Sequence, residues 1–106
     1  MNGDSGSPRD ESSPQRIITV EAYVSGKVQG VGFRACVRAV AEGLSLTGEV
    51  ENLDDGRVHF LATGDCASID KLISSIRECP RALVKSVDSK EVPLRSFEGF
   101  NIVRRY

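Results

Sequence analysis

Alternating apolar runs, two stretches with apolar spacings of three and four, and an Asp-Gly turn between two β-rich segments together predict an α+β domain. The order they give is strand, helix, strand, strand, helix, strand, with a short terminal strand after a loop. Each half is a β-α-β unit of similar length. That order matches the split βαβ, or ferredoxin-like, sandwich: one antiparallel sheet with two helices packed on one face. Right-handed crossovers put both helices on the same face. Such a fold hosts many activities, so function has to be argued from a site.

The first strand is read from Ile17 to Ser25. Ile18, Val20, Ala22 and Val24 share one face, with Thr19, Glu21 and Tyr23 on the other. A glycine-punctuated loop, GKVQGVG, follows. A helix is expected from about Phe33 to Leu44, with Phe33, Val37, Val40, Ala41 and Leu44 as its apolar stripe, and Gly43 weakening its last turn. Strands at about Leu46–Asn52 and Arg57–Thr63 flank LDDG, a hairpin signal. On the second of these Val58, Phe60 and Ala62 face inward, while Arg57, His59 and Leu61 point the other way. A second helix is expected over about Ala67–Cys79, capped by Asp65 or Ser68 and ended by Pro80. A fourth strand covers about Leu83–Ser89. Phe100 and Ile102 suggest a short fifth strand after the Pro93–Gly99 loop.

The 106 residues fit one domain. Residues 1–15, MNGDSGSPRDESSPQ, have no aliphatic or aromatic residue after Met1 and read as a disordered tail, leaving 16–106 for the domain. Fourteen basic and fifteen acidic residues give a net charge of −1 with no long basic block. This argues against a nucleic-acid partner, since such binding draws on phosphate neutralisation. A small anionic substrate needs only one or two placed cations. Cys36, Cys66 and Cys79 are odd in number and widely spaced, so no disulfide framework is expected. With His59 the lone histidine, no metal site and no cofactor are expected. No apolar run is long enough to span a bilayer, and no apolar stretch near the N-terminus resembles a signal peptide. The expectation is a monomeric, soluble, cytoplasmic protein with no membrane partner.

The chemically telling stretch is Gly26 to Arg34, GKVQGVGFR, between the first strand and the first helix. Loop amides and a helix N-terminus can converge there on an anion. Arg34, in the first helical turn, can grip phosphate oxygens with two prongs. The residues alone leave a second reading open, a tight turn followed by a solvated arginine. GxxxxGK is absent, as is the Rossmann GxGxxG, and no cysteine lies inside the loop to act as a phosphatase nucleophile. Cys36 reads as a small buried helix residue. Asn52 ends the strand before the hairpin turn, in parity with inward-facing Val50. Its carboxamide suits positioning a water, or capping its own backbone near the turn. Asp54 and Asp55 are read as turn formers. His59 is read as a solvated sheet residue with no companion carboxylate.

Together these segments resemble the acylphosphatase family. Its first signature, G-[basic]-V-Q-G-V-x-F-R, reads here as GKVQGVGFR, and its second, G-x-V-x-N-x-x-D-G, as GEVENLDDG from Gly48 to Gly56. The spacing from Arg34 to Asn52 is the family's, and GFNIVRRY is similar to its closing strand. The resemblance covers about Ile18 to Tyr106. It implies metal-free hydrolysis of a small acyl phosphate to carboxylate and inorganic phosphate. Arg34 and the loop of Lys27, Val28, Gln29, Gly30, Val31 and Gly32 would hold the phosphate, and Asn52 would orient the attacking water. Ala35 and Cys36 stand where many members carry an aromatic pair, and Glu49 where tryptophan is common. These departures concern packing or the pocket rim. The alternatives are the acylphosphatase-like module of the large hydrogenase-maturation protein, and a non-catalytic ferredoxin-like module binding anions or RNA. The short chain speaks against the first. The lack of exposed aromatics on the third strand speaks against an RNA platform.

Overall fold

The computed structural model describes residues 16–104. The expected tail, residues 1–15, lies outside the described residues. The elements are β1 (Ile17–Lys27), α1 (Phe33–Gly43), β2 (Thr47–Asn52), β3 (Val58–Asp65), α2 (Cys66–Ser75) with a 3₁₀ turn (Ile76–Glu78), β4 (Leu83–Val92) and β5 (Phe100–Ile102). The sheet order is β4-β1-β3-β2-β5, and both helices cover one face. The expected ferredoxin-like arrangement is therefore present. The sheet departs from the expectation in one respect: β5 runs parallel to β2, pairing Gly48 with Phe100 and Val50 with Ile102, so it is mixed rather than wholly antiparallel. A three-residue strand carries no signal of its direction, which is set by how the preceding chain returns.

The alternation in β1 and β3 builds the core. Val20, Ala22 and Val24 of β1 and Val58, Phe60 and Ala62 of β3 are buried with Phe33, Val37 and Ala41 of α1 and Ile69 and Leu72 of α2. α2 is capped as one of the two expected residues allows: Asp65 Oδ1 accepts from the Ala67 N–H at 3.1 Å. β1 runs two residues beyond its expected end. A register shift between Ser25 and Gly26 keeps it paired with β4 through Lys27. Gly48 lets both neighbouring strands come in close, since a Cβ there would overlap Leu61 O of β3 and stand 2.9 Å from the Phe100 ring of β5.

β4 and β5 lie on opposite edges, so the Pro93–Gly99 connection must cross the sheet, and it passes over the face that the helices leave open. Its Arg95 N–H donates to Thr19 Oγ1 at 2.9 Å, and Thr63 Oγ1 donates to Arg95 O at 2.8 Å. Thr19 is fully buried as a result.

Two sequence readings are corrected. Cys36 and Cys79 form a disulfide, with Cα atoms 6.1 Å apart. It ties α1 to the end of the α2 segment, and Cys66 is left as a free thiol. The spacing gave no hint because the sulfurs meet only when two helices from different β-α-β units pack. His59 is not solvated and does have companion carboxylates. It is 9 % exposed, with Nδ1 3.0 Å from Glu51 Oε2 and Nε2 2.9 Å from Glu21 Oε2. The partners are cross-strand neighbours on β1 and β2, one on each side of β3, and are invisible until the strand order is known. Tyr23 packs beside the imidazole, its ring centroid 4.8 Å away, and the Arg57 guanidinium lies over Tyr23.

Both corrections generate expectations about stability. The disulfide spans a sequence separation of 43, for which loop-closure entropy gives about 4 kcal/mol and measured bonds commonly about 2–4. Urea unfolding of oxidised and reduced protein should therefore differ by about 2–4 kcal/mol, and Cys36→Ser should match the reduced form. Identical midpoints would show that the bond contributes nothing. The hydrogen bond from His59 holds the Glu21 carboxyl below its ordinary value of 4.5, with the charges of His59 and Lys90 adding to it. A lowered carboxyl stabilises the fold above that ordinary value, and the benefit is lost as pH falls through the lower folded value. The stability gap between parent and His59→Gln should accordingly be open just above pH 4.5 and close on further acidification. A gap constant across that range would remove Glu21 as the partner.

Candidate active site

The loop after β1 is shaped by Gly30 and Gly32, with φ of 74° and 76°. A Cβ on Gly30 would meet nothing within 4 Å, so its need is for the left-handed backbone rather than for space. Gly32 is the N-cap of α1 and, lacking a side chain, makes no side-chain cap. The first-turn amides of α1 therefore have no acceptor from a capping side chain, and no acidic residue occupies that turn. The helix dipole adds positive potential at this end.

A pocket of about 220 Å³ opens there. It is lined by Val28, Gly30 and Gly32 of the loop, Phe33, Arg34 and Ala35 of the first helical turn, Asn52 at the end of β2, and Ile102 and Arg104 at the end of the chain. The structure thus brings Arg34 and Asn52, expected from widely separated segments, into one cavity. Val28 and Phe33, each 1 % exposed, form its apolar base. Among the described residues, no acidic side chain lines the pocket, and no group of three or more His, Cys, Asp or Glu is arranged to hold a metal ion.

The loop residues divide by role. Lys27 ends β1, paired with Leu83, and its exposed side chain is not part of the lining. Val31 packs partly against the core. The Gln29 side chain turns away from the pocket: its Nε2 donates to Leu53 O at 2.8 Å and Arg57 O at 2.9 Å. It fastens the loop to the β2–β3 hairpin, whose turn follows directly after Asn52. That turn is held by Asp55, which accepts from the Arg57 N–H at 3.0 Å and pairs with the Arg57 side chain at 2.8 Å. The backbone bond from Arg57, and then its side chain, hold the Asp55 carboxyl below its ordinary value. Asp55 is thus the turn former expected, and neither it nor Asp54 lines the pocket.

Asn52 does not cap its turn with its side-chain oxygen. Oδ1 is buried and has no hydrogen-bond partner among the described residues. Buried polar atoms are normally paired, so an unpaired one in a cavity marks where a ligand or water belongs. Sequence reasoning did not assign Arg104 or Ile102 to the site, and it named Ala35 only as a departure concerning packing or the pocket rim. The signal for Arg104 lay in period two: Phe100, Ile102 and Arg104 alternate onto one face. The register joining Gly48 to Phe100 and Val50 to Ile102, extended by Val103 N–H to Val50 O at 2.8 Å, brings Arg104 alongside Asn52.

Comparison with known proteins places the chain in a family. The acylphosphatase family profile matches residues 20–102. The chain is 42% identical over 87 residues to an acylphosphatase of Archaeoglobus fulgidus, covering 81% of this chain and 98% of that one. It is 47% identical over 89 residues to one of Acaryochloris marina, covering 83% and 96%. The solved structure of an acylphosphatase from Coxiella burnetii superposes with a TM-score of 0.80 at 37% identity, covering 86% of this chain and 99% of that one. With both signature segments meeting in one anion-suited pocket and matches running nearly the full length of these relatives, the chain belongs to the acylphosphatase family of hydrolases.

Proposed function

We propose that the pocket hydrolyses small acyl phosphates, with Arg34 and the amides of the Lys27–Gly32 loop and α1 holding the phosphoryl group and Asn52 orienting the water. The observation that carries this reading is the buried, unpartnered Asn52 Oδ1 lining the same cavity as Arg34. A carboxamide oxygen accepts but cannot donate. It therefore suits a water or an N–H and disfavours a phosphate oxygen. A water held there would donate one hydrogen to Oδ1 and direct a lone pair toward phosphorus. Its attack forms the new P–O bond as the bond to the acyl oxygen breaks, releasing carboxylate and inorganic phosphate.

The chemistry asks little beyond placement. A carboxylate leaves without protonation, because its conjugate acid has a pKa of about 4. Charge spread over the transferring phosphoryl oxygens is met by donors already aimed at it, in the manner of an oxyanion hole. Among the described residues no nucleophilic side chain lines the pocket, so the proposed attack is by water directly, with no covalent intermediate. The substrate is a small molecule, and the protein acts as a monomer. A cytoplasmic location remains part of the proposal, although the Cys36–Cys79 bond weighs against it because cytosolic reductants keep thiols reduced.

Hydrolysis of benzoyl phosphate in the presence of EDTA tests the reading. The parent should be active. Arg34→Ala should lose about 10²–10³-fold or more, and Arg34→Lys should still be severe because it loses the two-pronged grip. Asn52→Ala should lose about 10²-fold through misplacement of the water while unfolding no more easily than the parent, since it deletes an unpaired buried oxygen. Folded parent protein with no activity above the uncatalysed rate would overturn the assignment.

A further inference from the structure

We propose that Arg104 supplies a second guanidinium to the phosphoryl group, gripping it from the β5 side while Arg34 and the α1 amides hold it from the other. The inference rests on the phosphoryl-binding reading of the pocket. Its own basis is positional. Arg34 reaches the cavity from the first turn of α1, whereas Arg104 lies one register step beyond Ile102, beside Asn52. The two cations thus belong to different elements on different walls of one pocket.

The charge inventory favours an anion between them. The described arginines in ion pairs are Arg16, Arg38 and Arg57, bonded to Glu91, Glu42 and Asp55, and none of these lines the cavity. Among the described residues, the pocket holds two guanidinium groups and no side-chain carboxylate. Two like charges sharing a small cavity repel unless something negative lies between them. A phosphoryl group offers three oxygens, enough for two forked donors and the loop amides at once. A third guanidinium, that of Arg81, lies beside Gly32, 4.0 Å from where a Cβ would stand, but outside the lining. It supplies the same charge nearby without the contact and so serves as a control.

The test is calorimetric titration of inorganic phosphate into the parent, Arg104→Gln, Arg104→Lys and Arg81→Gln, alongside competitive inhibition of benzoyl phosphate hydrolysis. Arg104 is exposed, so its replacement should leave folding intact, which urea unfolding checks. Arg104→Gln should bind phosphate roughly tenfold more weakly, the loss expected for a charge-assisted bond. Arg104→Lys should recover part of that loss, keeping the charge without the fork. Arg81→Gln should shift affinity much less. Parental phosphate affinity in Arg104→Gln, or equal losses in Arg104→Gln and Arg81→Gln, would overturn the proposal by reducing Arg104 to background charge. Phosphate binding that depends on Arg104 in a parent that does not hydrolyse benzoyl phosphate would support this inference and sink the hydrolase reading. Hydrolysis with unaltered phosphate affinity in Arg104→Gln would do the reverse.

Discussion

The amides at the start of α1 are the constraint around which the site is organised. A helix leaves its first N–H groups without partners, and most helices recruit a side chain to meet them. α2 does so through Asp65. α1 begins instead at a left-handed glycine with nothing to offer, so its donors face the cavity. Gly32 therefore forgoes a cap, which commonly contributes about 1 kcal/mol, and leaves an anion site in its place. Every other feature of the pocket either points more positive charge at this spot or holds it in place.

Holding it in place falls to the sheet. The loop and the β2–β3 hairpin are distant in sequence, and β1 and β2 are not neighbours, since β3 lies between them. Gln29 bridges the gap by donating to two hairpin carbonyls, Leu53 O and Arg57 O. Those carbonyls belong to a turn already closed by the Leu53 N–H to Arg57 O bond and by Asp55. The position of Asn52 relative to the anion cradle thus depends on a short chain of hydrogen bonds and needs no flexible contact. On the far side, the close approach of Phe100 to Gly48 seats β5, and β5 in turn carries Arg104 to the cavity.

Local pattern made most of this architecture legible. Alternation marked β1 and β3, the three-and-four spacing marked both helices, and Asp-Gly marked the hairpin, because each is enforced by neighbours in sequence. What could not be read depends on strand order or helix docking. The Cys36–Cys79 bond needs α1 and the end of the α2 segment side by side. The Glu21–His59–Glu51 row needs β3 between β1 and β2. The parallel sense of β5 needs a connection that crosses the open face, and the bonds from Thr19 and Thr63 to Arg95 mark its path. At the site, Arg34 and Asn52 stand out because their segments match the two family signatures; composition alone leaves a solvated arginine and a turn-capping asparagine open. Gln29 was assigned to the right loop but its side chain faces the hairpin, and Arg104 could be found only by carrying the β5 register past the last paired residue.

The distribution of unmet bonding capacity explains why the pocket should be the chemical centre and the His59 cluster should not. On the open face, charge is plentiful but spoken for: Glu21 meets His59, Lys90 and Tyr23, and both nitrogens of His59 are engaged. Groups so satisfied contribute stability and have little left for a ligand. In the pocket the balance is reversed. A buried oxygen without a partner costs about 1–3 kcal/mol, uncapped amides forgo a cap, and two arginines share a cavity with no carboxylate among the described residues that line it. Each is unfavourable alone, and all are relieved together by one guest. The amides and guanidiniums favour a compact, multiply charged anion as that guest, and Asn52 Oδ1, buried and without a partner among the described residues, favours a donor at its edge. A phosphoryl group with an attacking water beside it satisfies both conditions. A bound phosphate alone satisfies only the first, and so, on the proposed reading, the asparagine more than the arginine separates a hydrolase from a site that merely binds.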